Sequence, residues 1–200
     1  CTQCAQQSFM FKGGCYSKDA APGNTMCETT NNAGVCTTAK QGYFLPPTEH
    51  ADNLHQSVIP CGSEEEITAG NSHKYKGVAN CKVCTPPTTT GSTPNLAVCT
   101  TCADGYYGSG NPLSCTVCTD PCATCTASAT YKCTSCKEGD TPYFKKGESN
   151  DGTATCVSEE TCKTDSTHFP TTDANQKKTC TLCSDAANGG IDGCTTCTPK

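Results

Sequence analysis

Of the 200 residues, 22 are cysteine, and most stand in pairs with two residues between them. The Cys-x-x-Cys pairs are Cys1/Cys4, Cys81/Cys84, Cys99/Cys102, Cys115/Cys118, Cys122/Cys125, Cys133/Cys136, Cys180/Cys183 and Cys194/Cys197; Cys15, Cys27, Cys36, Cys61, Cys156 and Cys162 stand singly. Sulfurs at this spacing support three kinds of chemistry. One thiol of a pair can be activated for disulfide exchange when a helix N-terminus lowers its pKa. Two pairs can hold a zinc ion. Or every sulfur can serve as half of a structural cross-link. The count is even, so all could pair within the chain.

Exchange catalysis is the weakest of the three, because no pair opens a helix in a βαβ context. Eight similar pairs also look like architecture rather than one tuned site. Zinc is the stronger competitor: Cys99-x2-Cys102-x12-Cys115-x2-Cys118 has the spacing of a four-cysteine site, and Cys122-x2-Cys125-x7-Cys133-x2-Cys136 is a shorter version. Both recur within a matrix of single cysteines that have no metal partners. His50, His55, His73 and His168 adjoin no pair and read as surface or turn residues. Zinc on Cys99, Cys102, Cys115 and Cys118, in a structural adaptor, is therefore kept as the minor alternative, and no other cofactor is expected. Nothing marks a cysteine and a histidine as a nucleophile and its base, and there is no phosphate-binding loop or carboxylate pair. The enzymatic reading fails, no catalytic residue is assigned, and all 22 cysteines are expected in structural disulfides.

Composition supports cross-linking. Leu, Ile, Val and Phe together make up only 10% of the chain, below the roughly 20% under which chains fail to bury enough apolar surface to fold. A disulfide closing a loop of ~15 residues contributes about 3 kcal/mol by restricting the unfolded state. Several such bonds replace the missing core, and reduction should unfold the protein. Disulfides at this density belong to secreted or cell-surface proteins. No apolar stretch approaches a membrane span, and no leader precedes Cys1, so the chain is expected to be a piece of a larger exported protein. The net charge is −5 and all 14 basic residues are Lys, which argues against nucleic acid or an anionic membrane as partner. Glu64, Glu65 and Glu66 read as a solvated face. No Asn-x-Ser/Thr sequon occurs.

Cysteine spacing divides the chain. Residues 1–84 form a wide-loop module, 85–98 a Pro/Thr-rich linker or loop whose threonines are candidates for O-glycans, 99–136 a run of tight repeats that resemble furin-like or EGF-like ones, and 137–200 a second loose module. In the repeat, Cys-x-x-Cys is followed after two residues by Gly, as at Gly105 and Gly139. Gly supplies a positive φ that turns the chain after a cross-link, and a following aromatic such as Tyr106 can cover the disulfide. Strands are expected at 42–45, 74–78 and 105–108, and no helical period of useful length is found. The predicted fold is small and disulfide-rich, an irregular, elongated array of cysteine-rich modules with short antiparallel hairpins and little helix.

The motif Gly13-Gly14-Cys15-Tyr16, with its flank from Ser8 to Ser17, the segment from Val35 to Pro47 and the recurrent Cys-x-x-Cys pairs, resembles the variant-specific surface proteins of Giardia. The resemblance runs along the whole chain. It implies a non-catalytic coat protein on the outer face of the plasma membrane, the ectodomain of a type I membrane protein, expressed one type at a time so that switching changes the antigen. Host antibodies and neighbouring coat molecules are the partners it implies. The family's membrane span and basic tail are not in these residues. The repeat is also similar to cysteine-rich regions of growth-factor receptors, and a ligand-binding ectodomain is the rival reading. It would need Phe9, Phe11, Tyr43 and Phe44 as an exposed patch, whereas the simpler expectation places them in a small core. By analogy with other cysteine-rich repeats, Cys122–Cys133 and Cys125–Cys136 are the expected pairings in the tight segment.

Overall fold

Short strands joined by turns make up nearly all the regular structure, as a chain rich in Thr, Gly and Asn and poor in long apolar periods dictates. The computed structural model describes residues 1–88, 94–146, 152–173 and 175–198. Two compact units divide the chain: Cys1–Ala103 with Gly108–Cys115, and Asp104–Tyr107 with Thr116–Lys200. The division falls inside the 99–136 stretch that cysteine spacing groups together.

In the first unit β1 (Ser8–Phe11) and β2 (Gly14–Ser17) form a hairpin, and β3 (Cys27–Thr30) and β4 (Cys36–Ala39) form a second. β5 (Tyr43–Phe44) pairs with β6 (Ile59–Pro60), and β7 (Ile67–Thr68) with β8 (Lys74–Lys76). β9 (Cys81–Thr85) is followed by β10 (Asn95–Leu96), which runs parallel to β8, and β11 (Val98–Cys102), which pairs back on β9. Thr85 thus belongs to a strand, and Asn95 and Ala97 are buried. The stretch read as a linker is built into the fold at both ends; its middle, 89–93, with most of the threonines named for O-glycans, lies outside the described residues.

Two small apolar clusters carry this unit, and alternation along β5 separates them. Tyr43 and Leu45 join Phe9, Phe11, Met26 and Val58 around the Cys27–Cys36 disulfide. Phe44, on the opposite face of the same strand, joins Ile59, Ile67 and Tyr75. Val58 and Ile59 divide in the same way. Successive strand residues point to opposite faces, so one two-stranded ribbon serves as wall to both clusters. Each fully buried side chain of this size contributes about 1.5–3 kcal/mol.

β12 (Tyr106–Ser109) and β13 (Ser114–Val117) form a two-stranded sheet. The second unit is built on a six-stranded sheet of β14 (Cys122–Cys125), β15 (Cys133–Cys136), β16 (Tyr143–Lys146), β17 (Ala154–Val157), β18 (His168–Thr172) and β19 (Lys178–Leu182), in the order β14-β15-β17-β16-β19-β18. Its pairs are antiparallel except β16 with β19. One element went unforeseen: α1 (Glu159–Thr164), capped by Ser158, whose side chain accepts from the Thr161 amide, with Glu159 and Glu160 in the first turn. Six residues are too few for an isolated helix, and the Cys162–Cys180 bond ties this one to β19. The three strands expected from sequence are present as β5, β8 and β12. The fold is a small cysteine-rich one with short strand pairs and almost no helix.

Candidate functional site: the sulfur frame

The Gly-Gly-Cys-Tyr motif makes the β1–β2 hairpin possible. Phe11 pairs with Gly14, leaving Lys12 and Gly13 as a two-residue loop with φ of 46° and 75°. Positive φ at both positions is the turn whose twist matches a hairpin, and Gly13 adopts it without strain. Cys15 then bonds Cys4, while Tyr16 lies edge-on to Phe11, their centroids 5.8 Å apart. The motif is therefore a turn, a cross-link and an aromatic cover in four residues.

Ten disulfides form: Cys4–Cys15, Cys27–Cys36, Cys61–Cys84, Cys81–Cys99, Cys102–Cys115, Cys118–Cys125, Cys122–Cys133, Cys136–Cys156, Cys162–Cys180 and Cys183–Cys197. Cys1 and Cys194 form no disulfide among the described residues. Of the two bonds expected in the tight repeat, Cys122–Cys133 is present, but Cys125 goes to Cys118 and Cys136 to Cys156. The reason lies in the strands. Residues three apart on a regular strand face opposite ways. In β9/β11 and in β14/β15, register shifts fall between the two cysteines of each strand and put an extra residue there. The sulfurs thereby gather on one side. Cys61, Cys81 and Cys99 pack with Cys84 and Cys115 in the first unit; Cys118, Cys122, Cys133 and Cys156 pack with Cys125 and Cys136 in the second. In both hairpins the first cysteines of the two strands bond each other, and the second cysteines leave for other partners.

From Cys61 to Cys156 these bonds make one continuous covalent thread. It alternates disulfides with Cys-x-x-Cys spacers: 61 to 84, back to 81, on to 99 and 102, to 115 and 118, to 125, back to 122, then 133, 136 and 156. The four cysteines of the zinc alternative sit on this thread. Cys99, Cys102 and Cys115 have sulfurs within 4.8 Å of one another, but all three are half-cystines, and Cys118 is bonded to Cys125. The sulfur of a disulfide has no thiolate to offer a metal, so the cluster is two disulfides packed side by side. Cover over the sulfurs differs from expectation too. Val78 and Leu113 pack on the first cluster, whereas Tyr143 and Val157 cover Cys162–Cys180. Gly105 and Gly139 do hold positive φ, 86° and 133°.

The aromatics proposed for a ligand patch are inside: Phe9, Phe11 and Phe44 are buried and Tyr43 packs on the first cluster. That removes the surface on which the receptor-like reading rests. The histidines are less isolated than the sequence implied. His50 is buried, bonds the Tyr75 hydroxyl through Nδ1 at 2.5 Å, and stacks on His73 with ring centroids 3.5 Å apart. His168 is also buried and lies 3.2 Å from Asp165. Spacing of 23 and 3 residues gave no sign of either contact. Glu64, Glu65 and Glu66 are exposed as expected.

Three carboxylates are tuned by partners rather than by a reaction. Asp165 is held well below the ordinary carboxylate range, first by Lys145, then by the hydroxyl and amide of Thr167. Burial pushes Asp52 upward, but hydrogen bonds from the His55 ring and from the Leu54 and His55 amides outweigh it and its pKa is lowered. The Lys163 ammonium lowers Glu159. Burial, then the Glu159 charge, raises Tyr143.

The geometry defines a class first: a non-globular amount of sulfur holding a scaffold of short hairpins, with loops and polar faces left outward. Comparison with known proteins then places the chain. The family model described as Giardia variant-specific surface protein matches residues 1–120. Major surface-labeled trophozoite antigen 417 of Giardia intestinalis is 34% identical across 98% of this chain, and variant-specific surface protein VSP4A1 of the same organism is 39% identical across 52%. The chain belongs to the Giardia variant-specific surface protein family. It spans 22% of the first relative's length and 15% of the second's. No solved structure matches it. Among the described residues no helix is long and apolar enough to cross a membrane.

Proposed function

We propose that this chain is part of the outward-facing portion of a variant surface antigen, a non-catalytic component of a protective coat that displays replaceable loops to host antibodies. The observation that carries the reading is the continuous sulfur thread from Cys61 to Cys156, which fixes the frame without reference to loop sequence. Proteases need a locally opened, extended segment, and cross-links suppress such opening. Absence of Arg removes one class of tryptic site. Disulfides do not titrate, so the frame is indifferent to acid, whereas a zinc–thiolate site loses metal as its ligands protonate. Surface loops tolerate substitution, which suits antigenic variation and immune evasion. The names of the two relatives, a surface-labelled antigen and a variant-specific surface protein, support placement on the outer face of the cell. Attachment there would come from a membrane anchor elsewhere in a type I protein.

Antibodies raised against the folded chain test this on living, unpermeabilised trophozoites. The expected result is uniform surface staining of a subpopulation, lost when those cells switch type, together with survival of the antigen in trypsin that ends on addition of reductant. Staining only after permeabilisation would overturn the reading, as would equal tryptic lability with and without reductant.

A further inference from the structure

Every fully bonded Cys-x-x-Cys pair obeys one rule of direction. Cys81 bonds later and Cys84 earlier; Cys99 earlier and Cys102 later; Cys115 earlier and Cys118 later. Cys122 bonds later and Cys125 earlier; Cys133 earlier and Cys136 later; Cys180 earlier and Cys183 later. The two sulfurs of a pair on a strand cannot bond each other, because three strand residues separate their Cα atoms by about 10 Å and a disulfide needs less than about 7 Å. Each pair must therefore have two partners, and here one always precedes it and the other always follows it. The pair is a coupling between the structure behind it and the structure ahead.

Two pairs are half-filled. In the first, Cys4 bonds the later Cys15, which leaves the earlier direction to Cys1. In the last, Cys197 bonds the earlier Cys183, which leaves the later direction to Cys194. Their surroundings agree. Cys1 is exposed, whereas Cys4 is 3% exposed and out of reach. Cys194 lines an open cleft of about 470 Å³ with His168, Leu182 and Gly193. A Cys1–Cys194 bond would satisfy the even count but would give each of the two pairs both partners on one side, breaking the rule twice. The sulfur threads also stop differently. The closed thread ends on the single cysteines Cys61 and Cys156, while the open ones run from the singles Cys15 and Cys162 to a free thiol.

We infer that Cys1 and Cys194 are half-cystines of two further disulfides in the same polypeptide, Cys1 to a cysteine preceding residue 1 and Cys194 to one following residue 200. The match to 22% of a longer relative supplies the chain in which such partners would lie. In each case two S–H bonds break and one S–S bond forms; two protons and two electrons pass to a protein or small-molecule disulfide of the oxidising compartment, which is reduced to its dithiol. The sulfur thread then runs through both ends of this segment and couples it covalently to its neighbours in sequence.

The test is peptide mapping without reduction on the native protein taken from cells, with thiols blocked at lysis. The expected result is a Cys1 peptide linked to one N-terminal to it, a Cys194 peptide linked to one C-terminal to it, and no blocking group on either. A blocked thiol at Cys1 or Cys194 overturns the inference. So does a Cys1–Cys194 bond, or a bond from either residue to another molecule. Cys1 Sγ lies 3.1 Å from Cys15 Sγ, so a Cys1–Cys15 bond that leaves Cys4 as the blocked thiol is a further overturning result. In the isolated 200-residue chain the same inference expects two blocked thiols and ten disulfides, unchanged when Cys1 and Cys194 are both replaced by Ser; loss of any of the ten in that variant also counts against it.

Discussion

The hairpins β9/β11 and β14/β15 are wired alike but backed differently. Each bonds its first cysteines together, sends the second cysteine of its leading strand back (Cys84 to Cys61, Cys125 to Cys118) and the second of its trailing strand forward (Cys102 to Cys115, Cys136 to Cys156). Yet 14 residues separate Cys84 from Cys99 and only 7 separate Cys125 from Cys133. Cys84 also leans on the Phe44, Ile59 and Tyr75 cluster, whereas the cluster around Cys122 and Cys133 consists of cysteines alone. The wiring is thus independent of loop length and of apolar support. One hairpin has two sources of order and the other has one.

Four experiments press on that contrast. Phe44→Ala should have the largest effect, about 3–5 kcal/mol for a buried aromatic, and should strip hydrogen-exchange protection from the first unit while leaving amides near Cys122 and Cys133 protected. Equal loss in both regions would mean that the hairpins share their support after all. Next, removing each internal bond as a Ser/Ser pair separates sulfur from packing. Loop entropy alone gives about 3 kcal/mol for either; protection around Cys122 and Cys133 should vanish, while Ile67 and Tyr75 keep theirs when Cys81–Cys99 is removed. A Tyr75 amide that exchanges freely in the second case would refute the idea of apolar backing.

A smaller effect, about 1 kcal/mol, is expected for Asp165→Asn, which weakens the charged contacts to Lys145 and Thr167. Because the folded carboxyl sits below its ordinary value, the stabilisation is complete above an unfolded pKa of about 4 and disappears as pH falls through the lowered folded value. Denaturation of wild type and variant should therefore differ by a constant amount from pH 7 to about 5 and converge only in stronger acid; a gap that closes near neutrality would assign it to another group. Least costly should be lengthening the 126–132 loop from 7 residues to the 14 of its counterpart, about 0.6 kcal/mol for a doubled loop. Unchanged disulfide mapping in that insertion variant is expected, and scrambled bonds would show that loop length does help to choose partners.

Much of this was legible because cysteine, glycine and proline act locally. The Cys-x-x-Cys pairs and the positive φ of Gly105 and Gly139 follow from residue type and spacing, whereas the turn at Lys12 and Gly13 was not read from the sequence. The strand at Tyr43 and Phe44 was legible too, since an aromatic pair after Gly has few other uses. Partner choice was not. It depends on a register shift between Cys122 and Cys125 that nothing in the intervening Ala and Thr announces. Helix α1 escaped notice because the Ser158 cap precedes only six residues, held by a bond to Cys180 that is itself a tertiary fact. The His50–His73 stack arises from the return of the chain after β7, which residue spacing cannot reveal.

The thread of sulfurs has a mechanical consequence. If the chain is pulled along its length, the loops bridged between Cys61 and Cys156 carry no tension, because a shorter covalent path lies beside them. Force passes only through disulfides and two-residue spacers that are already extended on strands. Shear on such a molecule leaves its displayed loops slack, and the length the region can reach is set by the thread rather than by the full run of its loops.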